Sequence, residues 1–508
     1  MRNPKYVAKS GRGTEADVEE LWLSGSRIKH SNRRWGKPTT RLRQGFGGAG
    51  MVKDLTGVRS LQRKHMPDKA GSDIDVQTSL RGIAKTASLN KQHRFRDLYR
   101  LLNMEMLHLA WKGLKKSAAI ADDDITIKEY GADLDANLER LLERLKQKRY
   151  RAKLIKRRYI PKENGKRRPL GIPALEDKLV QKAAAVILSA IYEQDFLDCS
   201  YGYRLGKGAK DAVSDLVFQL QFGVFGYIVE ADIKGYFDNI DHDKLLSMME
   251  KRINDRAFKR LITKWLKAGI LEPDGYVKHP VTGTPQGGIV SPILSNLYLH
   301  IVLDEWFQDV VKPSLKGRAI MCRYADDWVC AFQYRDDARR FYNVLPKRLG
   351  RYELQVEPSK TKIIRFSRFH PNRKRDRTFT FLGFEFYWFK DRKGTPRVMR
   401  RTAPSKQRIA LRRMKAWLKA SRHLPKKQFF QTLKRKLIGH YNYYYVRGNS
   451  RAVWSFYSQV IEYAKKWLNR RSQRKSYNWE KFKRVLEYTK IPRPRPTEKR
   501  RLHQCALG

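Results

Sequence analysis

Three aspartates in this chain have the type and setting for metal-assisted phosphoryl chemistry. Asp326 and Asp327 are adjacent in Tyr324-Ala325-Asp326-Asp327, between Met321-Cys322-Arg323 and Trp328-Val329-Cys330, two segments of largely strand character. A hairpin here sets both carboxylates at its turn. Adjacent carboxylates repel unless a cation lies beside them. Mg2+ accepts oxygen ligands and completes its shell with substrate phosphates. Taken alone, the tetrapeptide reads better as an ordinary polar hairpin turn. Asp232 stands near the end of the mostly apolar run Ile228-Val229-Glu230-Ala231. A third carboxylate converging on the hairpin would hold two metals about 4 Å apart, the spacing that in-line phosphoryl displacement requires. One metal would acidify an attacking 3′-hydroxyl, and the other would neutralise a leaving pyrophosphate. In isolation, Asp232 is a solvated strand end.

Carboxylates so placed need a sheet to hold them. Residues 225–233 read as a strand and 320–332 as a β-hairpin, with a further strand at 379–388. Residues 159–170 read as two short strands joined by a basic turn. Leu134, Leu138, Leu141, Leu142 and Leu145 form one apolar stripe at helical spacing, and 174–192 is a second helical stretch. Strands and helices mix without a regular βαβ period, so an α+β domain is expected over roughly 150–400. Beyond it the texture is helical and strongly basic. Residues 401–508 hold thirty Lys and Arg against four Asp and Glu, with Tyr441, Tyr443, Tyr444 and Tyr445 among them. The first seventy residues mix Gly, Ser, Lys and Arg without period and read as poorly ordered.

Composition narrows the partners. The 508 residues carry 108 Lys and Arg against 51 Asp and Glu, a net charge of +57. Such a surplus asks for a polyanion, and nucleic acid answers better than lipid, because no lipidation motif or basic amphipathic terminus accompanies it. Highly charged solvated faces are the plainer alternative. No apolar run approaches the ~18–20 residues of a membrane span, and the N-terminus lacks an apolar signal core. The four cysteines, Cys199, Cys322, Cys330 and Cys505, include no CxxC pair, which disfavours a disulfide framework or structural zinc. A soluble intracellular protein is expected.

The motifs also stand in a familiar order. Asp232-Ile233-Lys234-Gly235-Tyr236-Phe237-Asp238-Asn239-Ile240-Asp241-His242, then Gly283-Thr284-Pro285-Gln286-Gly287-Gly288-Ile289-Val290-Ser291-Pro292, then Tyr324-Ala325-Asp326-Asp327 resemble the palm motifs of group II intron-encoded reverse transcriptases. Arg168-Pro169-Leu170-Gly171-Ile172-Pro173 resembles the family's fingers motif, and Ser200-Tyr201-Gly202-Tyr203-Arg204 looks like the next one. Leu382-Gly383-Phe384 is similar to the last motif of the polymerase domain. The run from Lys436 to Tyr444 resembles the maturase, or thumb, domain. The likeness runs from about Val76 to Pro496.

That resemblance implies a right-hand polymerase, with fingers and palm over 76–400, followed by an α-helical thumb/maturase domain over 401–496. A basic extension (1–75) and a basic tail (497–508) flank them. It implies RNA-directed DNA synthesis with two Mg2+ ions held by Asp232, Asp326 and Asp327. Lys162 and Arg168 align with residues that grip the dNTP triphosphate. Phe237 aligns with the aromatic that crowds a ribose 2′-hydroxyl, Gln286 with a residue near the nascent base pair, and Lys360 with a proton donor to pyrophosphate. Asp241 reads as a helix N-cap and His242 as structural. Lys434, Arg435 and Lys436, with Tyr441, Tyr443 and Tyr444, would face RNA; the tyrosines either stack on bases or pack the helical core.

Implied partners are group II intron RNA, an RNA template with DNA primer, dNTPs and target DNA, with no membrane. The implied setting is the bacterial cytoplasm, in association with the nucleoid or a ribonucleoprotein. Two departures stand out. Ile120-Ala121-Asp122-Asp123-Asp124 replaces a Pro-Gly-Val-Asp-Gly turn found in many members, losing both glycines. No HNH nuclease follows Pro496, so second-strand DNA cleavage is not expected. A splicing factor with a vestigial polymerase and a reverse transcriptase recruited to host defence are the alternative readings.

Overall fold

The structure, a computed structural model, describes residues 70–114, 126–161, 167–369, 377–471 and 476–495, with side chains described from residue 79. The expectations for residues 1–69, for the 120–124 stretch, for Lys162 and for the tail from 496 fall outside these residues.

Helices α1 (Ala70–Leu89), α2 (Met104–Lys112), α3 (Ile127–Ala132) and α4 (Leu134–Lys146) form a first helical layer. Helix α1 thus begins ahead of the expected boundary at 76. Asn103 caps α2 by accepting from the Met106 N–H, and Thr126 with Glu129 closes a capping box on α3. On α4 the leucine spacing is realised: Leu138, Leu141 and Leu145 are buried. They share a core with α5 (Leu175–Tyr192), whose Leu179, Val180 and Ala183 are fully enclosed.

Between these helices, β1 (Ile155–Pro161) and β2 (Arg167–Ile172) pair antiparallel, with Tyr159 opposite Pro169. This is the expected pair of short strands. Next come β3 (Ser200–Tyr201), α6 (Ala209–Phe222), β4 (Tyr227–Ala231), α7 (His242–Glu250), α8 (Arg256–Leu266), β5 (Ile270–Leu271) and β6 (Val277–Lys278). Strand β5 runs parallel to β1, giving a small sheet in the order β2-β1-β5-β6.

Helix α9 (Ser291–Leu299) continues over 300–311 in wider turns of the i→i+5 kind. After it come β7 (Ala319–Tyr324), β8 (Asp327–Phe332), α10 (Arg335–Gly350) and β9 (Lys362–Arg365). The central sheet has the order β3-β7-β8-β4-β9, antiparallel apart from β3 on β7. One face packs on the first core through Val229, Cys330 and Phe332. The other packs through Ile228, Val329 and Ala331 on a second core.

That second core is shared with a three-stranded sheet, β10 (Phe379–Phe381), β11 (Phe384–Lys390) and β12 (Pro396–Thr402). Here one expectation is corrected. The single strand read over 379–388 is broken at Leu382-Gly383, where φ is 50° and 75°. Paired positive φ values make a tight hairpin turn whose twist matches its strands, a break that an apolar run does not announce. The expected strand 225–233 is also shorter, and Ile233 survives only as an isolated bridge to Val356.

Helices α11 (Pro404–Ala420), α12 (Lys426–Tyr444), α13 (Ser450–Leu468) and α14 (Trp479–Tyr488) enclose a third core around Phe429, Leu433, Leu437, Phe456 and Phe482. The helical character expected after residue 400 is realised from Pro404 onward. The architecture is α+β.

Candidate active site

Sheet register brings the acidic positions to one edge. Ala231 pairs with Trp328, so Asp232, just past β4, lies beside the start of β8, where Asp327 sits. Tyr324 pairs with Asp327, leaving Ala325-Asp326 as a two-residue turn. Ala325 is left-handed at φ 55°, an uncommon state for a residue with a Cβ. The turn is held from both sides. The Ala325 N–H donates to the Tyr201 carbonyl at 3.0 Å, and Arg323 donates to the Ala325 carbonyl at 2.9 Å.

Arg323 is the positioning residue that sequence reasoning missed. It is fully buried and donates to both Asp304 oxygens, to Asn296 at 3.0 Å and to Ser200 at 2.7 Å. Burial alone would raise the Asp304 carboxyl, but the guanidinium outweighs it and holds Asp304 below the carboxylate range. The signal was an arginine inside an apolar strand; its partners, 19 and 27 residues away, gave no pattern.

Asp326 and Asp327 both feel the neighbouring carboxylate charges. Burial raises Asp326, and the Asp232 charge adds to it, while its own N–H, Arg168 and Arg323 pull back. Solvent still reaches Asp327, yet protein atoms crowd around its carboxyl. That crowding, then the charges of Asp326 and Asp232, push it up to about 7. Asp232 forms an ion pair with Lys360, and this bond raises the ammonium. Among the described residues no three His, Cys, Asp or Glu side chains close into a metal-binding group. The expected convergence is therefore electrostatic in this structure, with Lys360 against one carboxylate. An all-oxygen, mutually repelling donor set is nevertheless the chemistry that a hard divalent cation fits.

Around this edge lie the expected substrate contacts. Arg168 is exposed on β2, close enough for its charge to act on Asp326 and Tyr203. Phe237 sits half-buried in the turn Tyr236–Asp238, its ring edge-on to Tyr236. Its carbonyl accepts from the Thr284 N–H at 2.7 Å, and Gln286 Nε2 is 3.5 Å from Asp238. The Gly-rich loop thus links Phe237 to strand β2, since the Gly171 N–H donates to the Gln286 carbonyl. Gly287 makes this approach possible: at φ 116°, a Cβ there would fall 2.3 Å from the Gly171 carbonyl oxygen. Asp241 caps α7 through the Lys244 N–H at 2.8 Å, and buried His242 meets the Gly283 carbonyl at 2.7 Å. Both are structural, as expected.

The C-terminal residues separate by face. Lys434 is half-buried, Arg435 is exposed, and Lys436 lies over the Trp417 ring at 5.3 Å. Of the two readings for the tyrosines, the contacts in the structure are those of packing. Tyr441 is 4% exposed, with its hydroxyl on the Pro492 carbonyl. Tyr443 and Tyr444 pack on Phe384. Aromatic area at these positions stabilises more when buried against Phe384 than when left in water.

Comparison with known proteins agrees with this geometry. The reverse transcriptase (RNA-dependent DNA polymerase) family matches residues 160–386, which contain all three aspartates. The group II intron-encoded protein LtrA of Lactococcus lactis subsp. cremoris is 39% identical over 223 residues, 44% of this chain and 37% of that protein. Protein YkfC of Escherichia coli (strain K12) is 32% identical over 304 residues, 53% of this chain and 76% of that protein. The chain belongs to the group II intron-encoded reverse transcriptase/maturase family. Nuclear intron maturase 4, mitochondrial, of Arabidopsis thaliana is 27% identical over 153 residues, 30% of this chain and 18% of that protein. The alignment with LtrA spans little more than a third of that relative's length. Within this family member, the β4 end and the β7–β8 turn form the candidate active site.

Proposed function

We propose that the chain is an RNA-directed DNA polymerase that also binds group II intron RNA and promotes its splicing and mobility. The observation that carries the reading is the register that brings Asp232, Asp326 and Asp327 to one sheet edge, where their charges act on Asp326 and Asp327, with Arg168 beside them. In this reading the β2-β1-β5-β6 sheet and its helices are the fingers, the five-stranded sheet is the palm, and α11–α14 are the thumb. Mg2+, bound as two ions by the three aspartates, would activate the primer 3′-hydroxyl and neutralise charge on pyrophosphate.

The chain's own residues do the rest. Arg168 and Lys162 bind the triphosphate. Phe237, fixed through its carbonyl by Thr284, crowds a 2′-hydroxyl. Gln286 borders the nascent pair. Lys360, kept protonated by Asp232, carries the proton for the leaving group. The basic helical domain grips intron RNA and the template–primer duplex, with charge supplying affinity. Target DNA is the further nucleic-acid partner, and the site of action is the bacterial cytoplasm, on the nucleoid or in a ribonucleoprotein. Among the described residues no helix is long and apolar enough to cross a membrane.

One observation favours a second reading, a splicing factor whose polymerase is idle: Asp232 is already paired with Lys360. Purified chain is expected to extend a DNA primer on an RNA template when given dNTPs and Mg2+, and to stop when EDTA is added. Absence of extension with Mg2+, alongside intact intron splicing, favours the second reading.

A further inference from the structure

The hairpin turn Leu382-Gly383 lies between the helical domain and the candidate active site, and it is engaged from both directions. On one side the Leu382 backbone lies against the Asp327 carboxyl and favours its charged form. On the other, the Tyr443 hydroxyl of α12 donates to the carbonyl of the same residue, Leu382, at 3.0 Å. The Tyr443 ring stacks on Phe384 with centroids 6.0 Å apart. A Cβ at Gly383 would lie 3.0 Å from the Tyr444 hydroxyl, so the second tyrosine closes over the turn as well. The Gly383 carbonyl accepts from the Ala403 N–H at 2.9 Å, just ahead of α11.

Leu382 holds φ at 50°, a conformation unfavourable for a non-glycine residue that persists only where the surroundings enforce it. Strand β10 is also fastened to the catalytic strand, because the Thr380 N–H donates to buried Glu230, two residues before Asp232. Glu230 pairs in turn with Lys362 at 3.0 Å. The turn is thus a rigid spacer between α12 and Asp327.

We propose that Tyr443 is a positioning residue for polymerisation: its hydroxyl fixes the Leu382 residue, which in turn fixes the Asp327 carboxylate. This assigns Tyr443 to the palm's chemistry in place of RNA stacking, and it makes the helical domain a structural part of the active site. The inference rests on the polymerase reading of the three aspartates. Tyr443 reaches no reacting atom itself; its effect passes through Leu382.

The test is steady-state primer extension by the full chain carrying Tyr443→Phe, which keeps the ring stack and deletes only the hydroxyl. One lost hydrogen bond at a positioning contact is expected to lower kcat roughly five-fold. KM for dNTP and Kd for RNA should stay within about two-fold, since the hydroxyl touches neither ligand. Tyr99→Phe is the control: it deletes a comparable hydroxyl-to-carbonyl bond, to Leu145 at 2.9 Å, in the N-terminal helical layer, and should leave kcat unchanged. Leu382→Gly frees the same turn, so its loss and that of Tyr443→Phe should combine sub-additively. A wild type that extends and a Tyr443→Phe variant that extends equally overturn the proposal alone. A Tyr443→Phe defect confined to RNA affinity overturns it in favour of a nucleic-acid contact. A wild type that extends no primer overturns the polymerase reading, and the proposal with it.

Discussion

At the residue scale, the acidic side chains of the site stand on a hairpin held by one buried arginine, Arg323. The Asp304–Arg323 pair carries the hairpin, and removing one member leaves the other charged and enclosed. Asp304→Asn is expected to destabilise the chain by about 3–5 kcal/mol in denaturant titration, whereas exposed Arg435→Ala should be near neutral. Phe237→Ala should raise ribonucleotide incorporation in extension assays; unchanged selectivity removes Phe237 from the gate role. A carboxyl titrating at about 7 when folded and near 4 when unfolded binds its proton more tightly in the folded chain. The stability it contributes is therefore present below about pH 4 and lost as pH rises to about 7. In EDTA, Asp327→Asn should melt above wild type at pH 8 and level with it at pH 4, as read by thermal unfolding. The three aspartates were legible in sequence because motif order surrounds them. Arg323 was not, because its partners converge only through the fold.

At the element scale, the catalytic hairpin, the Gly-rich loop and the β10–β11 turn are tied together by backbone hydrogen bonds, and those ties are what sequence leaves unreadable. The hairpin itself was legible: strand-forming runs on both sides of two polar residues leave few other folds. The Leu382-Gly383 break was not, since positive φ at a leucine is imposed by neighbours rather than by its own preference. His440 is an element-level case. Its ring stacks on Phe456, its Nε2 has no hydrogen-bond partner among the described residues, and burial pushes it down to about 3. The unfolded chain takes up that proton first, near 6.5, so the contribution is full above about pH 6.5 and fades toward pH 3. His440→Phe should flatten the acid side of the Tm-versus-pH curve over that window.

At the scale of the whole molecule, the net charge of +57 surrounds a small acidic centre. On α11–α14 the cations lie over rings: Lys419, Arg422 and Arg470 all approach Trp467 within 6 Å of its centroid. Aromatics there orient cations. RNA affinity should therefore be mainly electrostatic and fall steeply with salt, and a Lys434→Ala, Arg435→Ala double variant should reduce the log–log salt slope by about 1–2. A slope unchanged in that variant places the RNA face elsewhere. On the proposed function, three aspartates carry polymerisation while the basic helical domain carries RNA binding. The most direct measurement is RNA-templated primer extension by Asp326→Asn beside wild type, with RNA affinity measured on the same preparations. Extension is expected to fall by about a hundredfold or more, with RNA affinity unchanged; full extension by Asp326→Asn overturns the catalytic assignment.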